Sequence, residues 1–331
     1  MIIISATDLM RPEWRFLADA SDDPSLVWRT HSGLPRNTLE RLIRRPSLGR
    51  WRAALEAALD ARRNRDALLV SHLPLMAAAT NLFRRLLCPR IRHIAFAFNF
   101  TDLPTGWRRR FLSWAFRGID EFVVFSRFER ERYAAHFGIP IDKLHFIPWV
   151  MDAPVPGSVN PARDLKPYLC AVGGEGRDYP LLVEAMQDLP HLRLVIVARP
   201  HSLAGVTVPA NVMLLTNRPV QETWTIAAES EGMVLPLKTD TTACGHITLV
   251  GAQLLGLPLA ITRSRGVADY VEDGETALSM EPGDKMGVIR AITSLSEDKE
   301  AARRRGAAAR RQAESHTIAD WVAYIRGQVG R

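Results

Sequence analysis

The chain has 331 residues, is 47% hydrophobic, and carries 43 Lys and Arg against 36 Asp and Glu for a net charge of +7. That size and apolar content suit two ordinary domains with full cores, and no apolar run reaches the ~20 residues of a membrane span. Three widely spaced cysteines (Cys88, Cys170, Cys244) exclude a disulfide or cysteine-metal framework and fit a reducing, cytoplasmic location.

Ile2 to Ser5 is a β-branched run expected to form a first parallel strand rather than a secretion signal, followed by the glycine-free loop Ala6 to Pro12. Arg36 to Arg65 holds nine arginines and three acids, with Trp51, Ala54, Leu55, Ala58 and Leu59 at helical spacing. It reads as a domain helix with a solvated arginine face, the alternative being a membrane- or acceptor-facing helix. Asp66 to Pro74 and Ile91 to Phe98 read as strands whose carboxyl ends carry His72 and Asn99, the place where open parallel sheets bind ligands. His72 is either a cleft residue or a core histidine. Asn99 can orient a substrate but cannot carry a proton. Trp107 to Arg117 is a basic-aromatic helix whose rings are expected to cover the following strand, Glu121 to Phe125, the alternative being a surface-binding wedge.

Ala153 to Lys166, rich in Pro, Gly and Asn, reads as a linker. Strand Tyr168 to Val172 then delivers the loop Gly173-Gly174-Glu175-Gly176-Arg177-Asp178-Tyr179, with Pro180 opening a helix. Arg177 is suited to bidentate phosphate binding, against the alternative of an ion pair with Asp178 or Glu175. Leu192 to Ala198, Val212 to Thr216 and Met233 to Pro236 are further strands. Gly245 opens an apolar helix, His246 to Leu255, stopped by Gly256-Leu257-Pro258. The amides of Gly245, His246, Ile247 and Thr248, at the positive end of that helix, form an anion site. A charged helix from Lys285 to Gln312 and a last helix from Ser315 close the chain.

The residues from Gly245 through Gly256-Leu257-Pro258, Gly266-Val267-Ala268-Asp269-Tyr270-Val271-Glu272-Asp273-Gly274 and Glu281-Pro282-Gly283-Asp284 resemble the donor half of the GT-B glycosyltransferases, in particular the retaining family-four group (glycosyl transferases group 1). Ser126-Arg127-Phe128, Phe137-Gly138-Ile139-Pro140 and His145 to Asp152 resemble the run that closes the first domain in that family. The resemblance implies an α/β chain of two Rossmann-like doubly wound domains facing across a cleft. Residues 1–153 would take the acceptor and 154–314 the nucleotide sugar, with 315–331 a helix crossing back to the first domain. It also implies transfer of a sugar from a nucleotide-diphosphate sugar (UDP or GDP) to a hydroxyl of a glycan, a lipid-linked or a small-molecule acceptor. Retention is implied as well, with no metal or other cofactor; no Asp-x-Asp pair occurs in the sequence.

The implied donor contacts are Gly173, Gly174, Arg177, Lys238, Cys244, Gly245, His246, Ile247 and Thr248, and Asn99, His72 and Asp240 are the candidates for catalysis. The sequence departs from the family at several points, among them the glycine-free loop Ala6 to Pro12 where a glycine-rich loop is usual and Asn99 where a histidine is frequent. Gly174 stands where a second basic residue is usual, and Ala243 and Gly251 stand where two glutamates are usual. Trp149-Val150 replaces Asn-Gly. Lys238 and Asp240, in a lengthened segment before the turn, and Gln253 in the helix are the candidates to substitute. A nucleotide-sugar epimerase and an inactive scaffold of the same fold are the alternatives. Residues 1–150 hold 24 basic and 15 acidic side chains, residues 151–331 hold 19 and 21. That basic first half suits peripheral contact with the inner face of a membrane better than nucleic acid, since no clustered aromatic-basic motif for nucleic acid is evident.

Overall fold

The computed structural model describes residues 1–8, 17–18, 21, 23–43 and 47–328, so residues 9–12 of the first loop and 44–46 of the arginine-rich stretch lie outside the described residues. It divides into two compact units, Met1–Pro148 with Ile318–Arg331, and Trp149–Thr317.

The first unit is built on a six-stranded parallel sheet: β1 (Ile2–Thr7), β2 (Val27–Ser32), β3 (Leu68–His72), β4 (His93–Phe96), β5 (Glu121–Val124) and β6 (Leu144–Phe146). The spatial order is β2-β1-β3-β4-β5-β6, so the winding reverses between β1 and β3. The inner strands β3, β4 and β5 are buried at every position, which is why they are mostly apolar, with single polar residues only at their ends and at Ser71-His72. Edge strand β2, Val-Trp-Arg-Thr-His-Ser, has no such run and was invisible to hydrophobic patterning; pairing with β1 makes it a strand.

Helices α1 (Thr38–Leu42), α2 (Leu48–Arg63), α3 (Pro74–Leu87), α4 (Gly106–Phe116) and α5 (Arg127–Phe137) flank this sheet. The buried stripe of α2 is Ala53, Ala54, Ala57, Ala58 and Ala61, which allows close approach to α3, while Leu55 and Leu59, expected on the apolar face, are exposed. Two of its four arginines are paired, Arg50 with Asp8 at 2.7 Å and Arg52 with Glu40 at 2.8 Å, while Arg62 and Arg63 are exposed. In α4 the expected packing is reversed. Leu112, Ala115 and Phe116 cover the sheet, and Trp107, Phe111 and Trp114 point outward.

The second unit carries β7 (Leu169–Val172), β8 (Leu194–Ala198), β9 (Val212–Thr216), β10 (Met233–Leu235), β11 (Leu259–Thr262) and β12 (Leu278–Met280), all parallel, in the order β12-β11-β10-β7-β8-β9. The chain winds outward from β7 in one direction, then returns to its other side at β10, as in a Rossmann sheet, so the reversal lies between β7 and β10. Around it lie α6 (Tyr179–Gln187), α7 (Val220–Ala228), α8 (His246–Leu254), α9 (Lys285–Glu297) and α10 (Lys299–Glu314). The charged segment expected as one helix is two, because the Asp298 side chain accepts from Ala301 N and caps a new start.

The last helix, α11 (Ile318–Gly327), belongs to the first unit. Trp321 stacks on Phe125 at 6.0 Å and donates its indole N–H to Pro148 O at 2.9 Å, and Tyr324 bonds to Glu121. Among the described residues, no helix is long and apolar enough to cross a membrane.

Candidate functional site

Both glycine turns of the second unit lie beyond the carboxyl ends of β7 and β10, the two strands flanking the reversal of the sheet. Gly173 (φ 124°) and Gly176 (φ 66°) adopt conformations that side chains resist, and the loop between them folds against the segment after β10. Arg177 forms a bridge with Leu237, Lys238 N donates to Gly176 O at 3.1 Å, and Asp178 N to Pro236 O at 2.8 Å. Cys244 Sγ reaches Glu175 O at 3.3 Å and sits where any side chain on Gly176 would collide with it.

This stitching buries Arg177 to 5% exposure. Its guanidinium donates to Glu175 O at 3.1 Å, Val172 O at 3.4 Å and Thr248 Oγ1 at 3.4 Å, with Cys244 Sγ 3.9 Å away. Every one of these partners is neutral. The ion pairs allowed by the sequence do not form: Asp178 caps Leu181 N of α6 at 3.2 Å, and Glu175 pairs with Arg199 at 2.7 Å. A cation removed from water without a counter-charge is costly unless an anion completes the site.

The guanidinium also explains both turns. A Cβ on Gly173 would stand 2.8 Å from its Nη2, and one on Gly245 would stand 3.1 Å from Nη1. Gly245 (φ 106°) is the N-cap of α8 and no side chain caps that helix, so the first-turn amides over Gly245 to Thr248 are oriented by helix geometry beside Arg177. Thus Gly173, Arg177, Cys244, Gly245 and Thr248 converge, with Ile247 half-buried on the same turn. Lys238 and Asp240 are exposed on the neighbouring loop.

Two sequence candidates, His246 and Gln253, turn out to be buried, and the helix between them leaves no room at Gly251. His246 is 5% exposed and its Nε2 donates to Gly266 O at 2.9 Å; burial holds its pKa down to about 4, so it brings no positive charge. Gln253 is 2% exposed and gives its amide N–H to Tyr270 O at 2.8 Å. Gly251 cannot accept a glutamate without rearrangement, because its Cβ would lie 2.2 Å from the Trp224 ring.

Arg199, just past β8, escaped sequence reading. Its aliphatic stem crosses Gly174 so closely that a Cβ there would meet it at 2.8 Å. The loop missing a basic residue at Gly174 thereby has a guanidinium laid across the same backbone. The only sequence signal was its place at a strand's carboxyl end.

In the first unit His72 is 2% exposed within the sheet, with Nε2 3.2 Å from Ser5 Oγ, and burial lowers its pKa to about 4. It is a neutral core histidine, which removes it as an open proton carrier. Asn99 follows the strained Ala97 (φ 51°) at the end of β4 and gives Nδ2 to Glu129 Oε1 at 2.6 Å. Glu129 is fully buried. It also accepts from Tyr133 Oη at 2.9 Å, Ser126 Oγ at 3.0 Å and Phe125 N at 3.2 Å. Burial pushes its carboxyl up to about 7 against the pull of those four donors. Among the described residues, no group of three or more metal-binding side chains gathers.

His72 and His246 contribute to the acid side of the stability curve. Each stays neutral when folded but takes up a proton when unfolded near its ordinary value of 6.5. Their contribution is therefore full above pH ~6.5 and is lost as pH falls towards 4, each histidine giving up at most ~1.4 kcal/mol for every step of one in pH. Thermal scans from pH 8 to 4 are expected to show Tm falling below pH ~6.5. A flat profile would show that these rings are hydrated.

Residues 174–312 match the family described as glycosyl transferases group 1. No curated protein matches the sequence. Among solved structures, a glycosyltransferase from Rickettsia africae is 12% identical, with 99% of this chain covering 98% of that one at a TM-score of 0.70. Anabaena HepE in complex with UDP-glucose is 13% identical, with 99% of each chain covered at 0.72. The lipopolysaccharide outer core galactosyltransferase WaaB is 12% identical, with 99% of this chain covering 100% of that one at 0.64. Residues 174–312 thus carry the glycosyl transferases group 1 match, and the whole chain has the two-domain GT-B fold of these solved glycosyltransferases.

Proposed function

We propose that the protein transfers a sugar from a nucleoside-diphosphate sugar to an acceptor hydroxyl with retention, using no metal and no cofactor besides the donor. The observation that carries this reading is the buried guanidinium of Arg177, whose described partners are all neutral, beside the uncapped start of α8. A diphosphate supplies the missing negative charge there, and its charge rises as the glycosidic bond breaks. Amides and a guanidinium already aimed at it stabilise that change without reorganising. Arg199 adds a second cation from outside the loop. The leaving phosphate, on the face the acceptor approaches, takes the acceptor proton, so retention needs no enzymatic nucleophile. HepE was solved with UDP and with UDP-glucose, which makes UDP-sugars the first donors to try. The acceptor is proposed to be a glycan or lipid-linked hydroxyl, met at the inner face of a membrane.

The test is a panel of UDP-, GDP- and ADP-sugars with the full chain in excess EDTA, monitoring nucleotide release and binding by calorimetry. One donor is expected to release its nucleoside diphosphate. Arg199→Ala should weaken binding of that diphosphate by ~3- to 10-fold, as loss of a partly exposed charge contact. Gly174→Lys on that background should restore it. Binding of no nucleotide overturns the reading; binding without turnover points to a scaffold, and conversion of the sugar to its epimer points to an epimerase.

A further inference from the structure

Helix α4 leaves its largest side chains in solvent. Trp107 is 74% exposed, Trp114 44% and Phe111 39%, and the spacing 107-111-114 sets them on one face. Opposite them Leu112, Ala115 and Phe116 hold the helix to the sheet, so the outward aromatics contribute little to the core. Leu86, next to Arg85 near the end of the neighbouring α3, is 77% exposed. A patch of this kind on a soluble surface marks an interaction site.

Its charge selects the partner. Arg85 lies over the Trp114 ring at 5.1 Å and Arg108 over the Trp107 ring at 5.9 Å. Arg110 is exposed on the same helix. From Arg84 to Gly118 there are eight arginines and no lysine, and Asp102 is the one acid. Indoles with guanidinium groups stacked on them suit a headgroup layer, where the ring enters the interface and the cation meets lipid phosphate. A basic or neutral protein partner would leave that charge unmatched.

We propose that this face of α4, with Leu86 and Arg85 of α3, docks the first unit onto an anionic lipid bilayer. The aromatic stripe enters the headgroup region and the arginines neutralise lipid phosphates. Docking needs no donor, so it stands or falls separately from sugar transfer.

The test is co-sedimentation of the full chain, without nucleotide, with vesicles of phosphatidylcholine alone or containing about one third phosphatidylglycerol. The chain is expected to pellet with the anionic vesicles and its tryptophan emission to shift to the blue. Trp107→Ser with Trp114→Ser, and separately Arg108→Glu with Arg110→Glu, should each weaken partition by roughly tenfold or more, with circular dichroism unchanged. The proposal is overturned if the chain ignores anionic vesicles or if both double variants bind like wild type. It is also overturned if the wild type self-associates without lipid and the tryptophan substitutions dissolve that dimer.

Discussion

Arg177→Met is expected to lower turnover of the donor by about 10²- to 10³-fold while leaving Tm unchanged or slightly raised. The two halves of that result have one cause. In the ligand-free fold the guanidinium is buried among carbonyls, a thiol and a hydroxyl, so the molecule bears the cost of desolvating a charge it does not neutralise. Methionine removes that cost while filling much of the volume. On the proposed reading a bound diphosphate makes this cation a contact to developing charge, so its loss should be felt in kcat. Lysine should rescue only in part, because one ammonium cannot make the forked contact. Steady-state kinetics with thermal scans of the same samples check this. A variant that melts far earlier yet keeps wild-type turnover would make Arg177 a structural residue.

Glu129→Ala is expected to destabilise the first unit by about 3 kcal/mol or more, since buried donors stripped of an acceptor cost ~1–3 kcal/mol each. The carboxylate gathers Asn99 Nδ2, Tyr133 Oη, Ser126 Oγ and Phe125 N. The two hydroxyls can turn to other acceptors, but the Asn99 and Phe125 N–H groups cannot. Asn99→Ala, which removes one donor and keeps the acceptor satisfied by the others, should cost much less. Glu129→Gln isolates the ionisation. The carboxyl titrates near 4.5 when unfolded and is pushed up to about 7 when folded. The unfolded chain therefore loses its proton first, and stability is withdrawn as pH rises from ~4.5 to ~7. The Tm difference between wild type and Glu129→Gln should change across that window. A difference constant from pH 5 to 8 would mean that Glu129 is ionised throughout. The same network holds Asn99 in place, so Asn99 is preorganised by a residue outside the implied contacts.

Much of this molecule follows from local order along the chain. The buried parallel strands are apolar runs because both faces of the sheet are covered, and glycines fall where the backbone must turn left-handed at 173, 176 and 245. Arg177 and the start of α8 were legible because each stands in a glycine turn that opens onto a helix, and a helix start presents amides whatever its surroundings.

Only tertiary packing decided the rest, because it joins residues whose separation leaves no periodic trace. Arg199 reaches Glu175 across 24 positions, Glu129 meets Asn99 across 30, and Arg177 meets Thr248 across 71. Hydrophobic spacing made α4 a helix but could not say which ring-bearing face meets the sheet, since both faces carry aromatics. It also could not show that the Trp224 ring fills the space beside Gly251. Spacing sets which side chains share a face; the sheet and its neighbouring helices then settle which face is buried and which charges meet.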